Sequence, residues 1–325
     1  LNLLNTLRAR LGNIKMALPF IRLFGHEKVY GKDRIKDYDV MIENFRSWVY
    51  ACAQRNAYSI AKCELKLYNK VRRDGKIVLE EIDEHPFLDL LGKVNPFFSK
   101  FELWVLTTIF LELTGNDYWW IVPNQLGVPT EIWNLPANWM KVVPSKTEFI
   151  AGYVCLPPGE AVPIPFQESE IIHFKYPSPF DLHYGTGPLI GAQYAVDLNN
   201  HLKIHGISYL MNNAQPSGAL YTEDSLTDDQ FDRLKKQWNR EYRGSANAGK
   251  MAILERGLKY QQIGQGLGEL SFPDIAKSIR DEILAIFGVP ASKLGLVEDV
   301  NKANAEANDY TYQKETVQRR LTLIE

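Results

Sequence analysis

The segment "GSANAGKMAILERG", residues 244–257, puts Gly244, Gly249 and Lys250 at the spacing G-x-x-x-x-G-K, most of a phosphate-cradling Walker A loop. Such a loop works when a strand precedes it, a helix follows with its N-terminus facing the phosphates, and a Ser or Thr after the lysine holds magnesium. Here the order is reversed. The preceding "SLTDDQFDRLKKQWNREYRG" has a helical pattern opened by Thr227 and closed by Gly244, the following "KMAILERG" reads as a strand, and Met251 stands where the Ser or Thr belongs. Without a helix N-terminus behind the loop, no aligned peptide dipoles point at an anion. The segment reads as a connecting loop inside a small α/β unit, and the sequence turns away from a parallel, nucleotide-binding α/β fold.

Outward from this loop, "ALYTE" reads as a strand, and "KMAILERG" with "LKYQQIG" as a strand pair. Two helical patterns flank the unit. Residues 188–213 align Tyr194, Leu198, Leu202, His205 and Tyr209 on one stripe. The second pattern, "SFPDIAKSIRDEILAIFG", has Ser271 as its cap, Pro273 in its first turn and Gly288 with Pro290 as its stop, and it aligns Ile275, Ile279, Ile283 and Ile286. Antiparallel pairing of the two helices would carry the inserted unit away from the rest of the chain. A loop, "VPASKLGLVEDVN", then leads to a last helix beginning near Lys302.

Toward the N-terminus, residues 38–63 carry helical periodicity through Met41, Phe45, Trp48, Val49 and Cys52. "CELKLYNK" alternates as a strand and "RRDGK" supplies a hairpin turn. "HPFLDLLGKVNP" is a short helix, and "SKFELWVLTTIFLELTGN" an apolar one, capped by Ser99 and stopped by Gly115. From Tyr118 to His173 strands and turns alternate, so the first part is an α+β unit with an antiparallel sheet.

Composition narrows the function. The 325 residues suffice for more than one structural unit, and 45% hydrophobic with 23% charged residues is ordinary for a globular chain. A net charge of -2 and a pI near 6.4 leave no basic surplus. Tight nucleic-acid binders need one, because neutralising phosphates supplies most of their affinity. Cys52, Cys63 and Cys155 show no C-x-x-C spacing, which fits a reducing compartment and excludes a disulfide scaffold. No apolar run is long enough to span a membrane. The apolar, basic opening, residues 1–25, reads as a packing arm, with an amphipathic membrane-surface helix as the alternative. The sequence does not begin with Met and stops inside the helical pattern "VQRRLTLIE", so the polypeptide is expected to continue past Glu325.

The remaining candidates carry no chemistry. "GQGLG", residues 264–268, is not G-x-G-x-x-G and reads as a connector. His201 and His205 stand at i and i+4, but a zinc site needs a third ligand and no Glu lies between them. "DYWWIVP" is a core strand rather than a base-stacking surface, and "RLKKQWNREYR" shares its helix with Asp228, Asp229, Asp232 and Glu241, a mixed-charge face. No catalytic residue, metal ligand or cofactor site emerges. Two rival readings stay open: a nucleotide-binding enzyme using residues 244–250, and a peripheral membrane protein anchored by residues 1–25.

The order of motifs resembles the tailed-phage portal proteins of the HK97 type. "WVYACAQRNAYSIAKCELKLYNKVRRDG", "HPFLDLLGKVNPFFSKFELW" and "LELTGNDYWWIV" resemble that family's front half. "YGTGPLIGA" resembles the opening of its first stem helix, "MNNAQPSGALYTE" the passage into its clip, "REYRGSANAGKMAILERGLKYQQI" the clip itself, and "EILAIFGVPASKLGL" the second stem helix and entry to the tunnel loop. The resemblance runs from about residue 38 to Glu325, and the family's crown has no counterpart before Glu325.

The resemblance implies an α+β portal fold: an N-terminal arm (1–37), an α+β wing (38–187), stem helix 1 (188–213), a small α/β clip (214–270), stem helix 2 (271–290), a tunnel loop (291–303) and the start of a long helix leading to wing or crown (304–325). It implies a homo-oligomeric ring, expected to be a dodecamer, at the capsid vertex of the virion and in the host cytoplasm during assembly. Its partners would be double-stranded DNA held weakly and without sequence preference, the terminase large subunit, the major capsid protein and a head-tail adaptor. Leu296, Val297, Glu298, Asp299, Asn301 and Lys302 would line the channel. Asp228, Asp229, Lys235, Lys236, Arg240 and Lys250 would meet terminase or adaptor, and Ile275, Ile279 and Ile283 a neighbouring subunit.

Overall fold

The structure is a computed structural model that describes residues 37–73, 75–145, 147–160, 162–211, 218–221, 227–242, 259–262, 272–296 and 302–325. The chain divides into two units, one built from residues 1–193 and 283–325, the other from residues 194–282.

In the larger unit, α1 (Tyr38–Glu43) and α2 (Ser47–Ala61) replace the single helix expected over 38–63. Asn44 ends α1, and Ser47 takes a positive φ of 56°, a conformation a continuous right-handed helix cannot accommodate. A hairpin follows, β1 (Leu67–Arg73) with β2 (Lys76–Ile82), and then α3 (Pro86–Gly92) and α4 (Lys100–Thr114). Ser99 caps α4 in a reciprocal capping box with Glu102, and Gly115 closes it in the left-handed region, as the sequence indicates.

Two antiparallel three-stranded sheets form the centre, ordered β4-β3-β8 and β5-β6-β7. Their strands are β3 (Asn116–Pro123), β4 (Pro129–Leu135), β5 (Met140–Pro144), β6 (Ile150–Cys155), β7 (Ile164–Phe166) and β8 (Ile171–Lys175). Alternation along β3 explains the layering. Tyr118 and Trp120 point into a cluster with Met140, Tyr153, Cys155 and Phe166 from the second sheet. Trp119 points the other way, into a cluster with Leu91, Leu103 and Trp104 of the helices. Both faces are covered, so Asn116–Trp120 is buried without interruption. "DYWWIVP" is therefore core strand, and Cys52 and Cys155 are buried with it.

The helical pattern of 188–213 divides into α5 (Pro188–Gly191) and α6 (Gln193–Met211), interrupted at Ala192. The smaller unit holds most of α6, β9 (Gly218–Tyr221), α7 (Asp228–Tyr242), β10 (Lys259–Gln262) and the first part of α8 (Phe272–Phe287). β10 pairs antiparallel with β9; "KMAILERG" lies outside the described residues. His205 of α6 stacks on Phe272 of α8, ring centroids 5.6 Å apart and 18° from parallel. After α8 come a 3-10 turn (Ala291–Leu294) and a terminal helix that is not uniformly α. It runs as α9 (Lys302–Thr311), a π turn (Tyr312–Val317) and α10 (Gln318–Ile324).

Candidate functional site

The segment expected to line a channel begins at a backbone turn fixed by Gly288. Its φ is 67°, and a Cβ there would stand 2.6 Å from Oγ1 of Thr316, so only glycine fits. Thr316 Oγ1 donates to the carbonyl of Gly288 at 2.7 Å. The carbonyl of Phe287 accepts from Asn56 Nδ2 at 3.0 Å and from Arg320 Nη2 at 3.1 Å, which satisfies an acceptor left open at a helix end. Further along, Lys293 pairs with Asp309, and its Nζ sits 5.5 Å from the ring centroid of Tyr312. The terminal helix thus holds the segment's first turn at several points.

Beneath these contacts lies a carboxylate with no exposed surface, Glu112 of α4. Arg320 meets it with two nitrogens, Nε at Oε1 and Nη2 at Oε2 at 3.1 Å. Tyr176 Oη donates to Oε1 at 3.1 Å and Asn56 Nδ2 to Oε2 at 3.2 Å. Tyr312 Oη donates to Asn56 Oδ1 at 2.9 Å and extends the network toward Ser59. Burial disfavours the Arg320 cation, but the Glu112 carboxylate outweighs it and raises the guanidinium pKa further. Burial, and then the charge of Glu112, holds the Tyr176 phenol well above its usual value. The network joins α2, α4, the end of α8 and the terminal helix. Residues 112 and 320 lie far apart in sequence, and the only local signal was a lone acid inside the apolar run "FLELT".

The glycines of "YGTGPL" pack against the end of α4. A Cβ on Gly185 would lie 2.1 Å from the carbonyl oxygen of Gly115, and one on Gly187 2.7 Å from the nitrogen of Gly115. Asn116 pins the same backbone, accepting from Gly185 N at 2.7 Å while Nδ2 donates to Tyr38 Oη at 2.9 Å.

Of the residues expected to line a channel, Leu296 follows the left-handed Gly295 and is half-buried, and Lys302 opens α9. Val297, Glu298, Asp299 and Asn301 lie outside the described residues. Asp228, Asp229, Lys235, Lys236 and Arg240 are all exposed on α7. At about 100° per residue they fall within one face roughly 140° wide, so the helix does bring them together. Lys250, and with it the Walker-like loop 244–250, lies outside the described residues, although a helix does precede it. Ile279 and Ile283 are already buried in a single copy, at 4% and 0% exposure, whereas Ile275 is 40% exposed. Of the stripe expected to meet a neighbour, only Ile275 is accessible on one copy. His201 and His205 are exposed, and no group of three metal-ligating side chains forms among the described residues. No helix among the described residues is long and apolar enough to cross a membrane, and residues 1–25 lie outside them.

Comparison with known proteins bears on these features. A family profile described as "Phage portal protein" matches residues 47–325. An uncharacterized protein of Rickettsia bellii is 30% identical over 314 residues, which cover 94% of this chain and 78% of that one. A chain in the neck of an empty gene transfer agent particle, computed with C6 symmetry, superposes with a TM-score of 0.66 at 25% identity, covering 93% of this chain and 82% of the other. An HK97-family phage portal protein from Corynebacterium diphtheriae shares the fold, with a TM-score of 0.60 at 13% identity over 88% and 87% of the two chains.

Proposed function

The chain belongs to the phage portal protein family, and from that we propose that its copies close into a ring at a capsid vertex and form a conduit for double-stranded DNA. The carrying observation is a single family match from the second helix to the last residue, with one mixed helix-and-sheet fold throughout. The family is structural rather than enzymatic. The sixfold symmetry of the gene transfer agent neck supports a ring, and twelve copies are compatible with it.

Within that reading, residues 291–303 form the tunnel loop. Leu296 and Val297 make an apolar lip, Glu298 and Asp299 repel the duplex, and Lys302 contacts phosphates weakly. A conduit must let a polyanion slide, and every tight phosphate contact would deepen a well along its path. The near-neutral balance of the chain suits this task. Residues 214–270 serve as the clip. The charged face of α7, with Asp228, Asp229, Lys235, Lys236 and Arg240, meets the terminase large subunit during packaging and a head-tail adaptor afterwards. Lys250 is assigned to the same contact. The wing, residues 38–187, faces the major capsid protein, and residues 188–213 and 271–290 serve as the stem helices. Copies meet along the stem through Tyr194, Leu198 and Ile275, exposed at 87%, 48% and 40%. The protein is made in the host cytoplasm and resides in the virion.

The test replaces Lys302 by Glu or deletes residues 296–300. Both variants are expected to assemble rings as wild type does and to alter the length or retention of packaged DNA. Normal genome length and infectivity in both would overturn the channel assignment.

A further inference from the structure

Among the described residues of the β1–β2 hairpin, not one is buried. A two-stranded ribbon is marginally stable in water unless something packs on it. Register divides its residues between two faces. One carries Tyr68 opposite Glu81, Lys70 opposite Leu79 and Arg72 opposite Ile77. An outward face of an antiparallel ribbon is ordinarily polar. Here Tyr68, Leu79 and Ile77 form a contiguous apolar row exposed at 44%, 56% and 70%, with Lys70 and Arg72 on its flank.

The residues just beyond the hairpin have the opposite sign. Asp83 and Glu84 are exposed just ahead of Phe87, itself 44% exposed at the start of α3; Asp89, two residues further on, falls on the opposite side of that helix. The two glutamates at the end of β2 are engaged within the hairpin, Glu81 with Lys66 at 2.7 Å and Glu80 with Arg73 at 2.5 Å. Lys70, Arg72, Asp83 and Glu84 form no ion pair among the described residues. One chain therefore displays an apolar row with a cationic flank and, separately, an exposed aromatic directly preceded by two carboxylates. Surfaces that are complementary but different join copies head to tail, and such contacts make a ring when the rotation closes.

We propose that the β1–β2 hairpin docks on the next copy of this chain, covering that copy's Phe87 with Tyr68, Ile77 and Leu79 and setting Lys70 and Arg72 against its Asp83 and Glu84. The inference rests on the portal reading and adds a wing-to-wing contact to it. Apolar coverage supplies the driving force, and the charges set register and direction.

Sedimentation velocity on the full chain, read as the concentration at half assembly, tests it. Lys70→Glu with Arg72→Glu is expected to raise that concentration about tenfold or more, as is Asp83→Lys with Glu84→Lys. The combined four-site variant, with the charges exchanged, is expected to recover assembly. All four side chains are exposed, so near-ultraviolet circular dichroism of the monomers should match wild type. Rings from wild type with an unchanged midpoint in either double variant, or no recovery in the combined one, would overturn the hairpin contact and leave the portal reading standing. Failure of wild type to form rings at any concentration would overturn the portal reading, and the contact would fall with it.

Discussion

Asp117 and His173 sit on paired strands, Asp117 opposite Phe174 and His173 opposite Tyr118. Burial acts on them in opposite senses. It raises the Asp117 carboxyl to about 7, partly offset by hydrogen bonds from Asn134 and Thr107. Burial and then the charge of Lys175 lower the His173 imidazole to about 3. The native state therefore keeps a proton on Asp117 that the unfolded chain releases above about pH 3.8, so this group's contribution to stability falls as pH rises from there to about 7 and is flat beyond. The unfolded chain instead protonates His173 below about 6.5 while the native state does not, so that contribution rises from about pH 3 to 6.5. The slopes oppose each other over most of the window. Asp117→Asn should leave only the rise, seen as urea stability that climbs from pH 4 to 6.5 and does not decline toward 7. A profile parallel to wild type would show that Asp117 titrates normally.

Elements meet at Glu112 and Arg320. Removing one partner of a buried, hydrogen-bonded ion pair strands the other charge, which typically costs about 3–5 kcal/mol. Arg320→Ala is expected to destabilise the protein by that order in denaturant unfolding and to release the carbonyl of Phe287, loosening the turn at Gly288. A loss under about 1 kcal/mol would mean that solvent reaches Glu112, as it reaches exposed pairs. Several elements follow from local residues alone. Ser99 and Gly115 bound α4 where the sequence places them, because capping and left-handed glycine are short-range effects. The breaks at residues 44–46 and at Ala192 were not legible, since hydrophobic periodicity continues across both. The π turn at Tyr312–Val317 was likewise invisible. Its Tyr312 and Thr316 bond to Asn56 and Gly288, partners distant in the chain. "YGTGPL" was recognisable as a motif, but its reason, glycine backbone against the end of α4, came from packing.

For the whole molecule, the balance of charge matters more than any one residue. With a net charge of -2, assembled rings are expected to bind duplex DNA weakly, and log affinity should fall with log salt at a slope of about -2 or shallower. Fluorescence anisotropy across salt concentrations would measure it. A slope near about -6 would signify many phosphates gripped at once and would contradict a sliding conduit. The fate of the isoleucine stripe also belongs to this scale. Periodicity identified one apolar face on α8, but a second copy and the chain's own core leave the same imprint on sequence. Burial of Ile279 and Ile283 in a single copy separates them from the exposed Ile275.

Sequence by itself determined the α+β class, the cap and stop of α4, and the family to which the chain belongs. Each is written in short-range periodicity, in residues with special backbone freedom, or in an ordered set of motifs. Tertiary structure alone decided which polar groups meet in the interior: Glu112 with Arg320, Asn116 with the Gly185 backbone, Thr316 with Gly288. Those pairings hold because a buried charge or backbone group must find a partner in space, and distance along the chain places no limit on where that partner comes from.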